Sequence, residues 1–388
     1  METPTTVETN DRGEDPDSLA RPRGEVTVDE IAQLCRPEIY AMKPYSSART
    51  ESGPGVHVLL DANENPYPPY PSTADVAGFN RYPDPQPAVL LDGFADLYSV
   101  ARESLFLSRG ADEAIDLMVR AFCAAGADGI LITPPTFVMY ETAAEIQGAA
   151  VRRVPLRGAD FQLDLPAILA ALAGDPSIKI VFLCSPNNPT SNLMHRNDVL
   201  RLCAQSFGRA LVVVDELYVD YSRTPSIAAE LGDHPNLVVL RSMSKEYSLA
   251  GERIGVTIAH PEVVRILLRI MAPYSLTASS VRAAAAVLSA EGLAHGRANI
   301  DRVLAERDRV ALMLKRSPLV LEIFPSDANF LLVRTSDASA ICRHLEQAGI
   351  RIRDRSGLVD GAVRISIGVP EENDAMLTAL ADYASRLR

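Results

Sequence analysis

The sequence predicts an α/β protein. Its large domain carries a mostly parallel sheet sandwiched by helices, and a smaller α+β domain follows at the C-terminal end. Three observations predict this. At 388 residues the chain is too long for one small core. Between about residues 104 and 241, short unbroken apolar runs alternate with helical patterns, the signature of strands covered on both faces. Towards the C-terminus the rhythm changes to mixed strands and helices, as in an α+β unit.

Taken in order, residues 1–24 are polar and acidic with almost no apolar side chains, and read as a disordered tail. Residues 25–70 read as an N-terminal arm contributing to the small domain. It holds a short helix near Val28–Cys35 and a strand over Val56–Leu60 that ends at Asp61-Ala62-Asn63-Glu64-Asn65-Pro66. The large domain is assigned to 71–285. Strands are expected near Ser104–Leu107, Gly129–Thr133, Ala150–Val154, Lys179–Cys184, Leu211–Val214 and Asn236–Arg241. Helices are expected over Asp112–Ala125, Thr136–Ile146, Leu165–Ala173, Asp198–Ser206, Pro261–Met271 and Ala278–Ala290. The small domain, 286–388, takes a long helix from Arg297 to Lys315. Strands near Val320, Phe330, Arg351 and Ala362 follow, with helices from Ala338 and Glu371. In the last helix Met376, Leu380, Tyr383 and Leu387 share one stripe.

Composition excludes several classes. A net charge of -12 argues against nucleic acid or an anionic membrane as main partner. No segment is long and apolar enough to span a bilayer. The five cysteines are scattered and odd in number, which suits reduced thiols in a cytoplasmic setting. Neither they nor the six histidines show metal-ligand spacing, so no metal is expected.

Chemistry concentrates in Arg241-Ser242-Met243-Ser244-Lys245-Glu246, directly after an apolar strand, with Arg253 eight residues beyond Lys245. Hydroxyls and a forked cation at a strand end suit a phosphate. Lysine occurs only at positions 43, 179, 245 and 315, so the 38 basic residues are almost all arginine. A chain that avoids lysine yet sets one here uses an amine that can be deprotonated and can condense with a carbonyl. The plainer alternative is a solvated lysine in a polar loop.

Four other strand ends point the same way, and ligands of parallel sheets sit outside such ends. Gly110-Ala111-Asp112-Glu113 opens a helix whose free N–H groups suit an anion, although Asp112 is also an ordinary first-turn acid. Ser185-Pro186-Asn187-Asn188-Pro189-Thr190 is a rigid turn that fixes an amide, or simply a turn. Asp215, after Leu211-Val212-Val213-Val214, needs a cationic or hydrogen-bonded partner; a pyridinium nitrogen would serve, and helix capping is the alternative. Arg364, in an apolar strand, either snorkels or clamps an anion. Amine, carboxylate, fixed asparagine, tyrosine and split phosphate cradle together are the requirements of a pyridoxal 5'-phosphate site.

The chain resembles the fold-type-I pyridoxal-phosphate aminotransferases from about Ile31 onwards. The motifs include Pro44-Tyr45-Ser46-Ser47-Ala48-Arg49, Asn80-Arg81-Tyr82-Pro83, Ser108-Arg109-Gly110-Ala111-Asp112-Glu113, the Asn187-Asn188 turn, Ser244-Lys245 and Leu249-Ala250-Gly251. Pro44-Tyr45, the Arg81-Tyr82-Pro83 turn and Arg353-Asp354 point to the histidinol-phosphate branch. The resemblance implies that Lys245 holds the cofactor and moves the proton, with Asp215 on the pyridine nitrogen. It implies that Asn188 and Tyr218 bond the phenolic oxygen and that Phe137 stacks on the ring. The phosphate would lie among Ala111, Asp112, Ser242, Ser244 and Arg253. Tyr82 would reach that phosphate from a second subunit, making a homodimer part of the site. Arg353, Arg364, Tyr45 and Asn63 would recognise a phosphorylated or aromatic amino donor, with 2-oxoglutarate as acceptor; Tyr274 is a further candidate. A decarboxylase of a phosphorylated amino acid on the same scaffold is the alternative. Two positions depart from the pattern. Ser191 stands where glycine is usual, and Glu246 where a small or apolar residue is commoner.

Overall fold

A computed structural model describes residues 28–43 and 78–387. The expected tail, the Val56–Leu60 strand, Tyr45 and Asn63 lie outside the described residues.

Seven strands form the main sheet: β1 Leu105–Arg109, β2 Gly129–Ile132, β3 Ala150–Arg153, β4 Ile178–Cys184, β5 Leu211–Asp215, β6 Leu237–Ser242 and β7 Ile254–Ala259. Their order across the sheet is β1-β7-β6-β5-β4-β2-β3. Neighbouring pairs are parallel except those made by β7, which runs against both β6 and β1. The strands are unbroken apolar runs because helices cover both faces. Val212 and Val214 join Val181, Leu183 and Val239 in one core. Their neighbours Leu211 and Val213 join Ile180, Phe182 and Val238 in the other.

A second, antiparallel sheet is built from β8 Val320–Ile323, β9 Phe330–Thr335, β10 Arg353–Asp354 and β11 Ala362–Ser366, in the order β10-β11-β9-β8. It shares a core with Val310 and Leu314 of the long helix Ala290–Leu314, and with Ile341, Leu345, Met376 and Leu380. The C-terminal stripe points into this core: Met376 and Leu380 are buried and Tyr383 packs beside them, while Leu387 is exposed.

Two elements were not foreseen. Strand β7 begins Ile254-Gly255, and a glycine second in a short run weakens a strand reading. That glycine is there because the backbone of Gly110 and Ala111 passes so close that a Cβ would sit 2.8 Å from the Ala111 amide. The helix Ala88–Tyr98 has Gly93 at its centre, which depresses helix propensity. A Cβ there would meet Leu288 at 2.9 Å, so this glycine lets two helices approach. The long helix also starts earlier than expected, where Ser289 caps it by accepting a hydrogen bond from the Gly292 amide at 3.1 Å.

Candidate active site

Strands β1, β4, β5 and β6 point the same way, so their C-terminal ends, at Arg109, Cys184, Asp215 and Ser242, share one edge of the sheet. The reversed β7 starts at that edge, which is how Arg253 returns beside Ser242 only a short loop after Lys245. A cavity of about 640 Å³ opens there. Every site residue expected from the sequence that is described, apart from Tyr82 and the further candidate Tyr274, lines it. Tyr82 is 49% exposed and stacks on Tyr274 with ring centroids 4.3 Å apart; neither lines the cavity.

One end of the cavity is built for an anion. Gly110, with φ +74°, turns β1 into the helix Gly110–Phe122 and directs the first amides of that helix outward. Beside it, the Ser242 hydroxyl donates to the Ile254 carbonyl at 3.1 Å and accepts from the Ser244 amide at 3.0 Å. Arg253 completes the cradle. Its guanidinium donates to the Ser244 hydroxyl at 3.4 Å, the Ala250 carbonyl at 3.2 Å and the Asp112 carboxylate at 3.4 Å.

The middle holds the amine and the acid. Burial, then the positive charges of Arg364 and Arg253, push the Lys245 amine below its ordinary value. Tyr221 fixes the loop by donating to the Lys245 carbonyl at 2.8 Å. Asp215 ends β5 at 2% exposure, and burial raises its carboxyl to about 6. It accepts hydrogen bonds from the Tyr140 hydroxyl at 2.7 Å and the Leu217 amide at 3.2 Å. Tyr140 is a site residue that sequence reasoning missed. It stacks on Phe182 at 4.8 Å and is wholly buried, so on the helix Met139–Gln147 it reads as core. The available signal was its phenol, which needs a partner when buried.

At the other end, the Arg364 guanidinium donates to the Asn188 side-chain oxygen at 2.6 Å, and both residues line the cavity. Asn187 braces the turn from behind, donating to the Pro135 carbonyl at 2.8 Å and the Thr190 hydroxyl at 2.6 Å. Phe330 lies under both Tyr218 and Arg364, at 5.2 and 5.3 Å.

These residues fit pyridoxal 5'-phosphate. Among the described residues no cation pairs with Asp215, so a deeply buried carboxyl awaits a positive partner such as a protonated ring nitrogen. The anion cradle and an amine of lowered basicity stand in the same cavity. The model of the aminotransferase class I and II family matches residues 56–380. The chain belongs to the class I and II aminotransferases.

Within this family it is similar to the histidinol-phosphate aminotransferase of Stenotrophomonas maltophilia, 43% identical over 91% of this chain and 97% of that one. Among solved aminotransferase-fold structures, the histidinol-phosphate aminotransferase of Sinorhizobium meliloti in complex with pyridoxal 5'-phosphate superposes with a TM-score of 0.70. It is 23% identical and covers 84% of this chain and 90% of that one. The L-threonine-O-3-phosphate decarboxylase of Porphyromonas gingivalis superposes at 0.67, is 25% identical and covers 79% of this chain and 91% of that one. The protein is a pyridoxal-phosphate-dependent aminotransferase acting on an amino donor and an oxo acid.

Both departures from the aminotransferase pattern have structural answers. Ser191 adopts φ +65°, a conformation that costs a non-glycine residue about 1–2 kcal/mol. Its amide donates to the Asn187 carbonyl at 2.7 Å, its carbonyl accepts from the Asp327 amide at 2.8 Å, and its hydroxyl lies 3.1 Å from the Pro325 carbonyl. The left-handed turn is therefore kept and tied to the segment entering β9. Glu246 is 2% exposed and points away from the cavity, 3.6 Å from the Arg241 guanidinium. Arg241 also pairs with Asp220 and stands 3.7 Å from Glu216. Burial raises the Glu246 carboxyl well above its ordinary value, opposed by the Arg241 guanidinium that it shares with Asp220 and Glu216.

Proposed function

We propose that this aminotransferase transfers the amino group of histidinol phosphate to 2-oxoglutarate. One observation carries the reading: Arg353 and Arg364 are direct partners across β10 and β11 and line the same cavity as Lys245. Two guanidiniums opposite an amine suit a substrate with its amino group at one end and an anion at the other. The similarity to histidinol-phosphate aminotransferases supports the choice of anion.

Bound in this cavity, pyridoxal phosphate supplies a carbonyl that condenses with amines and a ring that accepts the electrons released when a proton leaves carbon. In this reading Lys245 holds it and serves as the base that takes and returns that proton, a task helped by its lowered basicity. Asp215, oriented by Tyr140, keeps the ring nitrogen positive. The amide of Asn188 and the hydroxyl of Tyr218 bond the phenolic oxygen, and Phe137 covers a ring face. The amides of Ala111 and Asp112, the hydroxyls of Ser242 and Ser244, and Arg253 hold the phosphate. Arg353 and Arg364, with Tyr45 and Asn63, take the substrate anion. Tyr82, exposed and away from its own cavity, would reach a second subunit's phosphate, so the working unit is a homodimer. The separate cores under the two sheets support a division into a cofactor domain, 71–285, and a clamping domain, 286–388. The described part of the 25–70 arm, expected with the small domain, packs against the large sheet through Ile31, Leu34 and Cys35. The unpaired cysteines suit a reducing cytoplasm.

The test is a screen of amino donors with 2-oxoglutarate, following glutamate. Histidinol phosphate is expected to give the highest kcat/KM; an aromatic amino acid that exceeds it tenfold overturns the assignment. The likeness to a phosphothreonine decarboxylase motivates a second reading on the same scaffold. Carbon dioxide release from a phosphorylated amino acid, without glutamate formation, would favour it.

A further inference from the structure

We propose that Arg355 is a third anion-binding residue, and that it makes the cavity favour a phosphorylated donor over its unphosphorylated counterpart. The inference rests on the phosphorylated-donor reading and extends it to a residue outside the Arg353–Arg364 pair.

Strand geometry sets the cluster. Arg353 faces Arg364 directly across β10 and β11. The ladder continues past the end of β10, since the Arg355 amide donates to the Ala362 carbonyl at 2.9 Å. Residues two apart on a strand share a face, so Arg353 and Arg355 point the same way, and both line the cavity with Arg364. The acid between them is turned aside and already satisfied. Asp354 accepts from the Ser339 hydroxyl at 2.6 Å, and from the Ser356 amide at 2.9 Å and hydroxyl at 2.5 Å.

No carboxylate pairs with Arg353, Arg355 or Arg364 among the described residues. The Nε atoms of Arg355 and Arg364 are shielded from solvent and have no hydrogen-bond partner there. The cavity lining carries two carboxylates, Asp112 and Asp215. The first bonds Arg253 and the second sits under Tyr140, so neither balances this face. Three guanidiniums with unused donors are more than a planar carboxylate needs, because one forked arginine already bonds both of its oxygens. A phosphate monoester carries a charge of about −1.5 to −2 near neutral pH and three acceptor oxygens, and can engage all three. The turn after Arg355 holds it in place, its carbonyl accepting from the Leu358 and Val359 amides at 2.9 Å each.

The experiment compares R355Q and R355K with the parent holoenzyme, using histidinol phosphate, its dephosphorylated counterpart histidinol, and inorganic phosphate. In R355Q the KM for histidinol phosphate should rise about tenfold or more, the scale of one lost charged hydrogen bond, with kcat changed less than about threefold. The kcat/KM for histidinol should change far less. R355K should recover part of the loss, since it restores charge without the fork. Inorganic phosphate should inhibit the glutamate half-reaction competitively, with an inhibition constant about tenfold higher in R355Q. Equal losses for histidinol phosphate and histidinol, or no loss for either, overturn the proposal. If the parent prefers a donor without phosphate, the functional reading fails. Phosphate inhibition then decides the role of Arg355 by itself, and equal inhibition of parent and R355Q ends it.

Discussion

At the scale of single residues, the site depends on charges held where water cannot reach them. Asp215 titrates near 6 in the ligand-free protein because it is buried, so its ionised form is scarce below that pH. Uptake of cofactor by the apoenzyme should therefore weaken as pH falls below about 6, measured by fluorescence titration. D215N should lose that pH dependence together with roughly a hundredfold or more in kcat. Glu246 makes the opposite kind of prediction. Its folded carboxyl titrates well above the unfolded value of 4.5, so the folded protein holds a proton that the unfolded chain releases. That contribution to stability is complete below about pH 4.5 and is lost as pH climbs towards the folded value. E246Q, neutral throughout, should therefore match the parent near pH 4 and unfold at higher urea concentration at pH 8; a lower midpoint at pH 8 would contradict the account. Lys245 was legible in the sequence because lysine is so scarce, and Asp215 because an acid ending an apolar strand demands a partner. Tyr140 was not legible, since an aromatic residue on an apolar helix face reads as packing. Arg355 was hidden for another reason: one arginine among many shows its lack of an acidic partner only once the fold has placed its neighbours.

At the scale of elements, most strands announced themselves by unbroken apolar runs, with ends within a residue or two of those observed. Strand β7 did not, because its glycine serves a contact made with residues about 145 positions earlier, which no local pattern encodes. The same contact gives a test. G255A would press a methyl group onto the Gly110–Ala111 backbone where the anion cradle is formed. The variant should lose about 1–3 kcal/mol of stability and bind cofactor more weakly, both read from thermal melts with and without pyridoxal phosphate. A melt identical to the parent's would show that the approach is not tight. The Asn187–Asn188 turn was legible as rigid but not as bridging, since its tie to the segment before β9 runs through Ser191 and Asp327.

At the scale of the whole molecule, the fold divides the work between two sheets. The large sheet brings Lys245, Asp215 and the Arg253 cradle to the cavity; the small one brings Arg353, Arg355 and Arg364. If Tyr82 completes a second subunit's cradle, the protein should sediment as a dimer, and Y82F should raise the cofactor dissociation constant several-fold while leaving the dimer intact. A monomer with full activity would refute the shared site. The sequence could foresee two domains because their rhythms differ. It could not foresee that one of the places where they meet is the Asn188 amide, whose oxygen Arg364 grips at the cavity wall. If a guanidinium drawn towards an arriving anion loosens that grip, the amide shifts in response. Bound pigment would then report on the far pocket: an inert anion, unable to react, should change the enzyme's colour simply by docking.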